Sequence, residues 1–398
     1  MKTQDDDLVI ISDFDSRLKW GLTLANYLDD CFNITLYYRE KTVDQFENYV
    51  KNFYSIIQYS CLEQIVTYNN LKKFRVIVLA LGGTLNIKFL FYFKDIFLNK
   101  ERPIVISGMN GITDCNDLHA LLCRVGSDII CVNSWKNYKI FIEHMNSLNI
   151  DTGNLYMLGY ARKFIMTNNK NFISNQIVNV LFIEQPNTPK QKKQRKYLVD
   201  KIYRYAIKYP KRTIYIKCRK IDHWDHTNIL FYKYNFYRLF KKNVKNIPKN
   251  IIFCNEPIEY LYNRVDLCLS FYSTCILESL HLGIKTVVLS DFGIGCTFKN
   301  HNFIGSGIFA TLDDWLEDKI PTPEQKWLNE NCNFITEQSI IGLKKIIFKK
   351  LNQKKKDIQL YYNQEKFPYF YVKSNYSINF IVFYLKKIIK QLKLWFYS

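Results

Sequence analysis

The chain predicts an α/β protein made of two parallel-sheet lobes. Three observations carry that expectation. Short apolar runs of strand length recur along most of the sequence, with helical stretches between them. Such runs, apolar throughout rather than alternating, suit strands buried on both faces. A polar passage at 161–176, with MTNNKN at its centre, parts the runs into two groups. The length, 398 residues with 48% hydrophobic side chains, is enough for two cores of ordinary size.

In the first group the strand-like runs are 8–11, 76–81, 104–107 and 129–132. The second holds 178–183, 213–217, 251–254, 265–269 and 286–289. The expected division is a first domain over 1–165, a second over 166–330 and a helical, basic segment over 331–398. Thr188 followed by Pro189 reads as a helix N-cap and first helical residue, opening a helix to about Tyr209. Gly283 reads as the stop of a helix that begins near Thr274.

A net charge of +20 and a pI near 9.3 call for an acidic partner: a nucleotide, a nucleic acid or an anionic lipid. Tyr and Phe, 29 each, are abundant alongside Lys, Ile and Asn, a bias that an AT-rich genome produces without selection for base stacking. No RNA-binding or helix-turn-helix signature accompanies the charge, so no nucleic-acid partner is expected. The 11 cysteines are scattered, with no C-x-x-C pair. Together with the start MKTQDDD, which is no signal peptide, they place the chain in a reducing cytoplasm. No apolar run reaches the roughly 18 to 20 residues that span a bilayer.

Ligands of open parallel sheets bind beyond the carboxyl ends of the strands, so the loops there should carry the chemistry. The first is Ser12-Asp13-Phe14-Asp15-Ser16-Arg17. It reads as a general base, Asp13 or Asp15, held by Arg17, with Ser16 beside it. An Asp-x-Asp metal site and a plain helix cap with a surface ion pair are the other readings. After the third run comes Ser107-Gly108-Met109-Asn110-Gly111. Its glycines let backbone approach a ligand, making Asn110 and Gly111 acceptor-side candidates.

In the second half, Gln185 sits at a strand tip, able to read a base edge. Lys217, Arg219, His223 and His226 cluster after the next strand and suit a departing phosphate. Zinc ligation with Asp222 and Asp225, or simple solvation of the histidines, are the alternatives. The stretch VDLCLSFYSTCILESLHLGIKTVVLSDFG reads as strand, turn, helix, strand. Ser270, Ser273 and Thr274 lie where the helix begins, beside its N–H groups and positive dipole end, a ready phosphate site. Glu278, one turn on, suits ribose hydroxyls. The bland reading is an N-cap and a surface Glu.

These segments together resemble a known family. TPKQKKQRKYLVDKIYRYAIKYPKRTIYIKCR, a His soon after, SFYSTCILESLHLGIKTVVLSDFG and NFIGSGIF are similar to a bacterial family of glycosyltransferases of the GT-B type. ISDFDSRLKWG and RPIVISGMNGI fit as well, and the resemblance runs over about 8–330. It implies two Rossmann-like domains facing across a cleft. Its layout looks like that of bacterial sialyltransferases for surface glycans, with a catalytic Asp in the N-terminal half, a His after a strand of the second domain and a Ser pair at a helix start. This chain departs in lacking a His-Pro pair and in carrying Thr274 at the second Ser place.

The implied reaction is an inverting transfer of sialic acid from CMP-sialic acid to a hydroxyl of a capsule, O-antigen or lipopolysaccharide glycan, free or lipid-linked. One departing phosphate needs less neutralisation than two, so no metal or other cofactor is expected. The alternatives are another nucleotide sugar (a UDP- or CMP-Kdo-type donor), an epimerase on the same fold, or a non-catalytic nucleotide- or nucleic-acid-binding protein.

From Leu343 to Ser398 there are 13 lysines against Asp357 and Glu365. Within 375–398, apolar residues follow helical spacing with Lys386, Lys387, Lys390 and Lys393 opposite. Two readings stand: a helix lying on an anionic membrane surface, or one docking on the protein. The first places the chain peripherally on the inner face of the cytoplasmic membrane.

Overall fold

The computed structural model describes residues 7–39, 53–114, 118–161, 176–185, 188–218 and 234–353. They form two compact units. One draws on Met1–Val132, Asn137–Gly159 and Thr336–Ser398, the other on Asn133–Lys136 and Tyr160–Ile335.

Unit one runs β1 (Asp7–Ser12), α1 (Asp15–Leu28), β2 (Asn33–Arg39), β3 (Ser55–Tyr59), α2 (Tyr68–Leu71), β4 (Val76–Ala80), α3 (Gly83–Ile96), β5 (Ile104–Gly108), α4 (Leu118–Leu122), β6 (Ile129–Val132), α5 (Trp135–Ser147) and β7 (Leu155–Met157). Its seven strands are all parallel, in the order β3-β2-β1-β4-β5-β6-β7. Val9, Ile11, Ile77 and Leu79 face Phe89 and Phe93 of α3, while α1 covers the opposite face. Gly21 allows that approach, since a Cβ there would lie 2.7 Å from Ile10.

Unit two runs β8 (Asn179–Ile183), α6 (Lys192–Lys208), β9 (Thr213–Lys217), α7 (Phe236–Asn243), β10 (Ile251–Cys254), α8 (Ile258–Tyr262), β11 (Leu267–Ser270), α9 (Thr274–His281), β12 (Lys285–Leu289), β13 (Phe309–Ala310), α10 (Leu312–Leu316) and α11 (Gln325–Asn331). Its six strands are parallel, in the order β10-β9-β8-β11-β12-β13. Leu198 and Ile202 of α6 and Phe236 and Phe240 of α7 cover Phe182, Ile214 and Ile216 on one face. Leu261 and Tyr262 of α8 cover Leu181, Ile183 and Cys268 on the other. Tyr205 and Trp315 stack at 3.8 Å between α6 and α10. Each unit is thus a Rossmann-like α/β domain, and together they have the two-domain make-up of the GT-B class.

A last helix, α12 (Glu337–Leu351), belongs to unit one. Ile340, Leu343 and Ile347 are its buried face. The Tyr156 hydroxyl donates to Ser339 O at 2.6 Å, Lys344 pairs with Asp30 at 2.7 Å, and Phe348 stacks on Phe32. The residues set apart by sequence as 331–398 therefore divide, 331–335 going with unit two and α12 with unit one. The basic stripe at 375–398 lies outside the described residues, as does nearly all of the polar passage at 161–176.

Among the strands, β2, β3, β7 and β13 were not evident as apolar runs. Three of the four are sheet edges, with a single neighbour and less burial, so their sequences need not be apolar. The helix expected from Pro189 begins only at Lys192. Thr188 bridges back to Gln185, the Thr188–Pro189 bond is cis, and the Pro189 carbonyl accepts from buried Arg195 Nε at 2.8 Å instead of opening a helix. Gly283 does end α9, at φ +74°. Among the described residues no helix is long and apolar enough to cross a membrane.

Candidate active site

In both sheets the strand order reverses once, between β1 and β4 in unit one and between β8 and β11 in unit two. The loops leaving those strands diverge and open a crevice, the usual ligand position in such sheets.

In unit one the crevice is built around Asp13. It follows β1, and its side chain is 6% exposed. Oδ2 accepts from Arg17 at 2.7 Å, one helical turn along α1. Across the crevice, the Gly82 N–H at the start of α3 donates to Oδ1 at 3.3 Å and to Oδ2 at 3.5 Å. The cap position of α1 belongs to Phe14, so Asp13 is not a cap of its own helix. A Cβ at Gly82 would stand 2.8 Å from the Arg17 guanidinium and would push it aside; that guanidinium also lies 5.6 Å from the Phe14 ring centre. Tyr59 closes the back, its hydroxyl donating to Ser12 O at 2.8 Å. Burial, and after it the Asp13 charge, hold that phenol well above its ordinary pKa.

Asp15 opens α1, but its side chain lies outside the described residues. Ser16 is exposed in the first turn of that helix. Asn110 and Gly111 follow β5, and Asn110 Oδ1 is buried with no protein partner among the described residues. Beneath them Trp20 covers Gly108 so closely that a Cβ there would lie 2.1 Å from its ring.

In unit two the residue after the first strand is again acidic, but it is buried. Glu184 Oε1 accepts from Arg195 at 2.8 Å and from the Phe236 N–H at 2.9 Å. Arg195 also donates to the Gln185 and Pro189 carbonyls. Burial pushes the Glu184 carboxyl up to about 6, against the pull of the guanidinium. This pair was not singled out by sequence, since nothing in EQPNTPKQKKQR marks one Arg among many cations as buried.

Ser270 ends β11 and donates to Ile183 O at 3.2 Å, tying the two crevice strands. Ser273 caps α9, accepting the Cys275 N–H at 3.2 Å, and Thr274 is the first helical residue, half-buried. The start of α9 thus carries hydroxyls and a positive dipole end but a neutral cap. Gln185 is half-buried on the facing loop. Lys217 ends β9 and donates to Asn255 O at 3.0 Å, and burial lowers its ammonium pKa. Glu278, expected to meet ribose, is only 8% exposed, with Oε2 accepting the Tyr262 hydroxyl at 2.6 Å, so little of it remains for a sugar. Arg219, His223 and His226 lie outside the described residues.

The two crevices therefore offer a pinned carboxylate in one unit and a helix terminus with hydroxyls in the other. Sequence reading did not single out Gly82, Tyr59 or Arg195. Gly82-Gly83 directly after an apolar run was the available signal.

A family model described as "Putative glycosyltransferase (DUF6716)" matches residues 8–339. No curated protein matches the sequence. Among solved structures, the UDP-GlcNAc 2-epimerase from Neisseria meningitidis bound to UDP-GlcNAc is similar over 88% of this chain and 100% of its own, at 12% identity and a TM-score of 0.55. The UDP-GlcNAc 2-epimerase from Methanocaldococcus jannaschii covers 96% of this chain and 100% of its own, at 13% identity and 0.52. The glycotransferase of kitacinnamycin covers 87% and 96%, at 10% identity and 0.50.

Proposed function

Because the chain belongs to the glycosyltransferase family whose model spans residues 8–339, we propose that it moves sialic acid from CMP-sialic acid to a hydroxyl of a bacterial surface glycan, with inversion and without a metal. The observation that carries this reading is the unequal filling of two equivalent helix starts. The start of α3 already faces a carboxylate, Asp13. Among the described residues the start of α9 is capped by the neutral Ser273 side chain, which leaves its dipole for a ligand anion.

On this reading the acceptor hydroxyl gives its proton to Asp13 as its oxygen bonds the anomeric carbon. Arg17 and the Gly82 N–H keep that carboxylate oriented, which favours Asp13 over Asp15 as the base. The transfer to a carboxylate is possible because the hydroxyl proton turns acidic only as the new bond forms. The anomeric carbon–oxygen bond to phosphate breaks, and the electron pair leaves with CMP. The α9 terminus, with Ser273 and Thr274, stabilises the growing charge. Lys217, Arg219, His223 and His226 are assigned to supply cations or a proton, and Gln185 to read the base. Asn110, Gly111 and Ser16 are assigned to the acceptor. Peripheral attachment at the cytoplasmic membrane would bring a lipid-linked acceptor within reach.

A UDP-sugar donor is the second reading, and the neighbour bound to UDP-GlcNAc favours it. Thermal shift against CMP, UDP, GDP and ADP separates the two. A nucleotide at 100 times its dissociation constant stabilises by about 2.7 kcal/mol. A shift with CMP supports the first donor and a shift with UDP alone moves the assignment to the second. No shift with any nucleotide removes the donor site.

A further inference from the structure

We propose that the outer face of α6 and α7 in unit two is a docking surface for an anionic lipid bilayer. The two helices share one core through Leu198, Ile202, Phe236, Leu239 and Phe240, so their outward sides form one continuous face. On it Lys192, Lys193, Lys196, Arg238, Lys241 and Lys242 are exposed. Neither 190–199 nor 234–253 contains an acidic residue.

Abundant lysine alone does not explain this face. The far half of α6 and the turn after it are neutralised by α10 and the residues following α10, where Lys201 pairs with Asp313, Lys208 with Glu317 at 2.7 Å, and Arg212 with Asp318 at 2.7 Å. Among the described residues no carboxylate pairs with Lys192, Lys193 or Lys196. The same helix is compensated at one end and left cationic at the other.

The choice of a bilayer over nucleic acid rests on the rings. Single-strand binders combine a cationic groove with open aromatic faces on which bases stack. Here Phe236 and Phe240 are buried. Tyr234, Tyr237 and Tyr197 have ammonium groups over their rings at 5.4, 4.4 and 5.2 Å, from Lys192, Lys241 and Lys201. What remains outward is mostly point-charge ammonium on a two-helix face, which suits diffuse attraction to anionic headgroups. Both helices begin at the carboxyl edge of the sheet, the edge that bears Gln185, Ser273 and Thr274. The binding stands by itself; its use, holding the donor site at the membrane, rests on the proposed transfer.

The test is flotation of the full chain with phosphatidylglycerol–phosphatidylcholine vesicles. The triple variant Lys193→Glu, Lys196→Glu, Lys242→Glu is compared with a control of equal charge change, Lys326→Glu, Lys345→Glu, Lys349→Glu, also at exposed sites. The expected result is salt-sensitive binding of the parent chain, a fall of at least about tenfold in the α6/α7 variant, and little change in the control. Equal loss in both triples would mean net charge alone acts and overturns the surface. So would no binding by the parent, no loss in the α6/α7 variant, or α6/α7-dependent binding of an RNA oligonucleotide with none to vesicles. CMP and UDP thermal shifts on the same proteins are expected to be unchanged, so a failed nucleotide shift would count against the donor site and not against this face.

Discussion

Asp13 and Glu184 occupy the same place in their two units, each the first residue beyond the first strand, and each pairs with an arginine of the following helix. Their surroundings are opposite. Asp13 is 6% and Arg17 32% exposed at the crevice, while the Glu184 and Arg195 side chains are 1% and 2% exposed. Loop length explains the contrast. Two residues separate β1 from α1, so Asp13 stays at the crevice and reaches the start of α3. Eight residues separate β8 from α6, and the Gln185 and Pro189 carbonyls among them accept from Arg195, which meets Glu184 beside the Phe236 N–H. The start of α9 is then left to Ser273. One topology thereby yields a carboxylate pinned at the crevice in one unit and a helix start with a neutral cap in the other.

The largest effect expected from breaking this contrast is on rate. Asp13→Asn keeps the shape but removes the proton acceptor, and a transfer loss of about 10²–10⁴-fold is expected in a chain that still folds. Turnover close to the parent would assign the base elsewhere, with Asp15 the next to test.

The corresponding change in unit two is expected to act on stability. Arg195→Ala leaves Glu184 buried beside an empty site, at a cost of about 3–5 kcal/mol in urea unfolding. A loss under about 1 kcal/mol would show that the pair is not the buried tie described here.

How much of this was legible differs between the two acids. The Asp13 cluster stood out because two acids and an Arg crowd a short loop after an apolar run. Its contact with Gly82 spans 69 positions and depends on strand order, which local sequence does not encode. The α9 start was readable because Ser, Thr and a closing Gly give local capping signals. Glu184 and Arg195 were not, because burial of one cation among the many of α6 is decided by packing against α7. The parallel-sheet class was readable from the central strands, whereas β3, β7 and β13 were missed at the edges, where burial is least.

A smaller effect follows from the raised Glu184 carboxyl. Its ordinary value is 4.5 and its folded value about 6, so the folded chain holds a proton that the unfolded chain releases between those values. The associated stability is complete below about 4.5 and is lost as pH rises through about 6, at most roughly 2 kcal/mol. Urea melts across that window should show this slope in the parent chain and a flatter profile in Glu184→Gln. Identical slopes would place the titration elsewhere.

Smallest is the cap. Ser273→Ala removes the oxygen that accepts the Cys275 N–H and should cost about 1 kcal/mol of stability together with some nucleotide affinity. Unchanged nucleotide affinity would place the phosphate away from this helix start.

The most direct measurement is amide hydrogen exchange on the full chain with and without saturating CMP or UDP. Slowed exchange at Gln185 and from Ser273 to Ile276, with the amides of Gly82 to Thr84 unaffected, is the expected result. Protection at the start of α3 instead, or at neither helix, would contradict the division of roles between the two units.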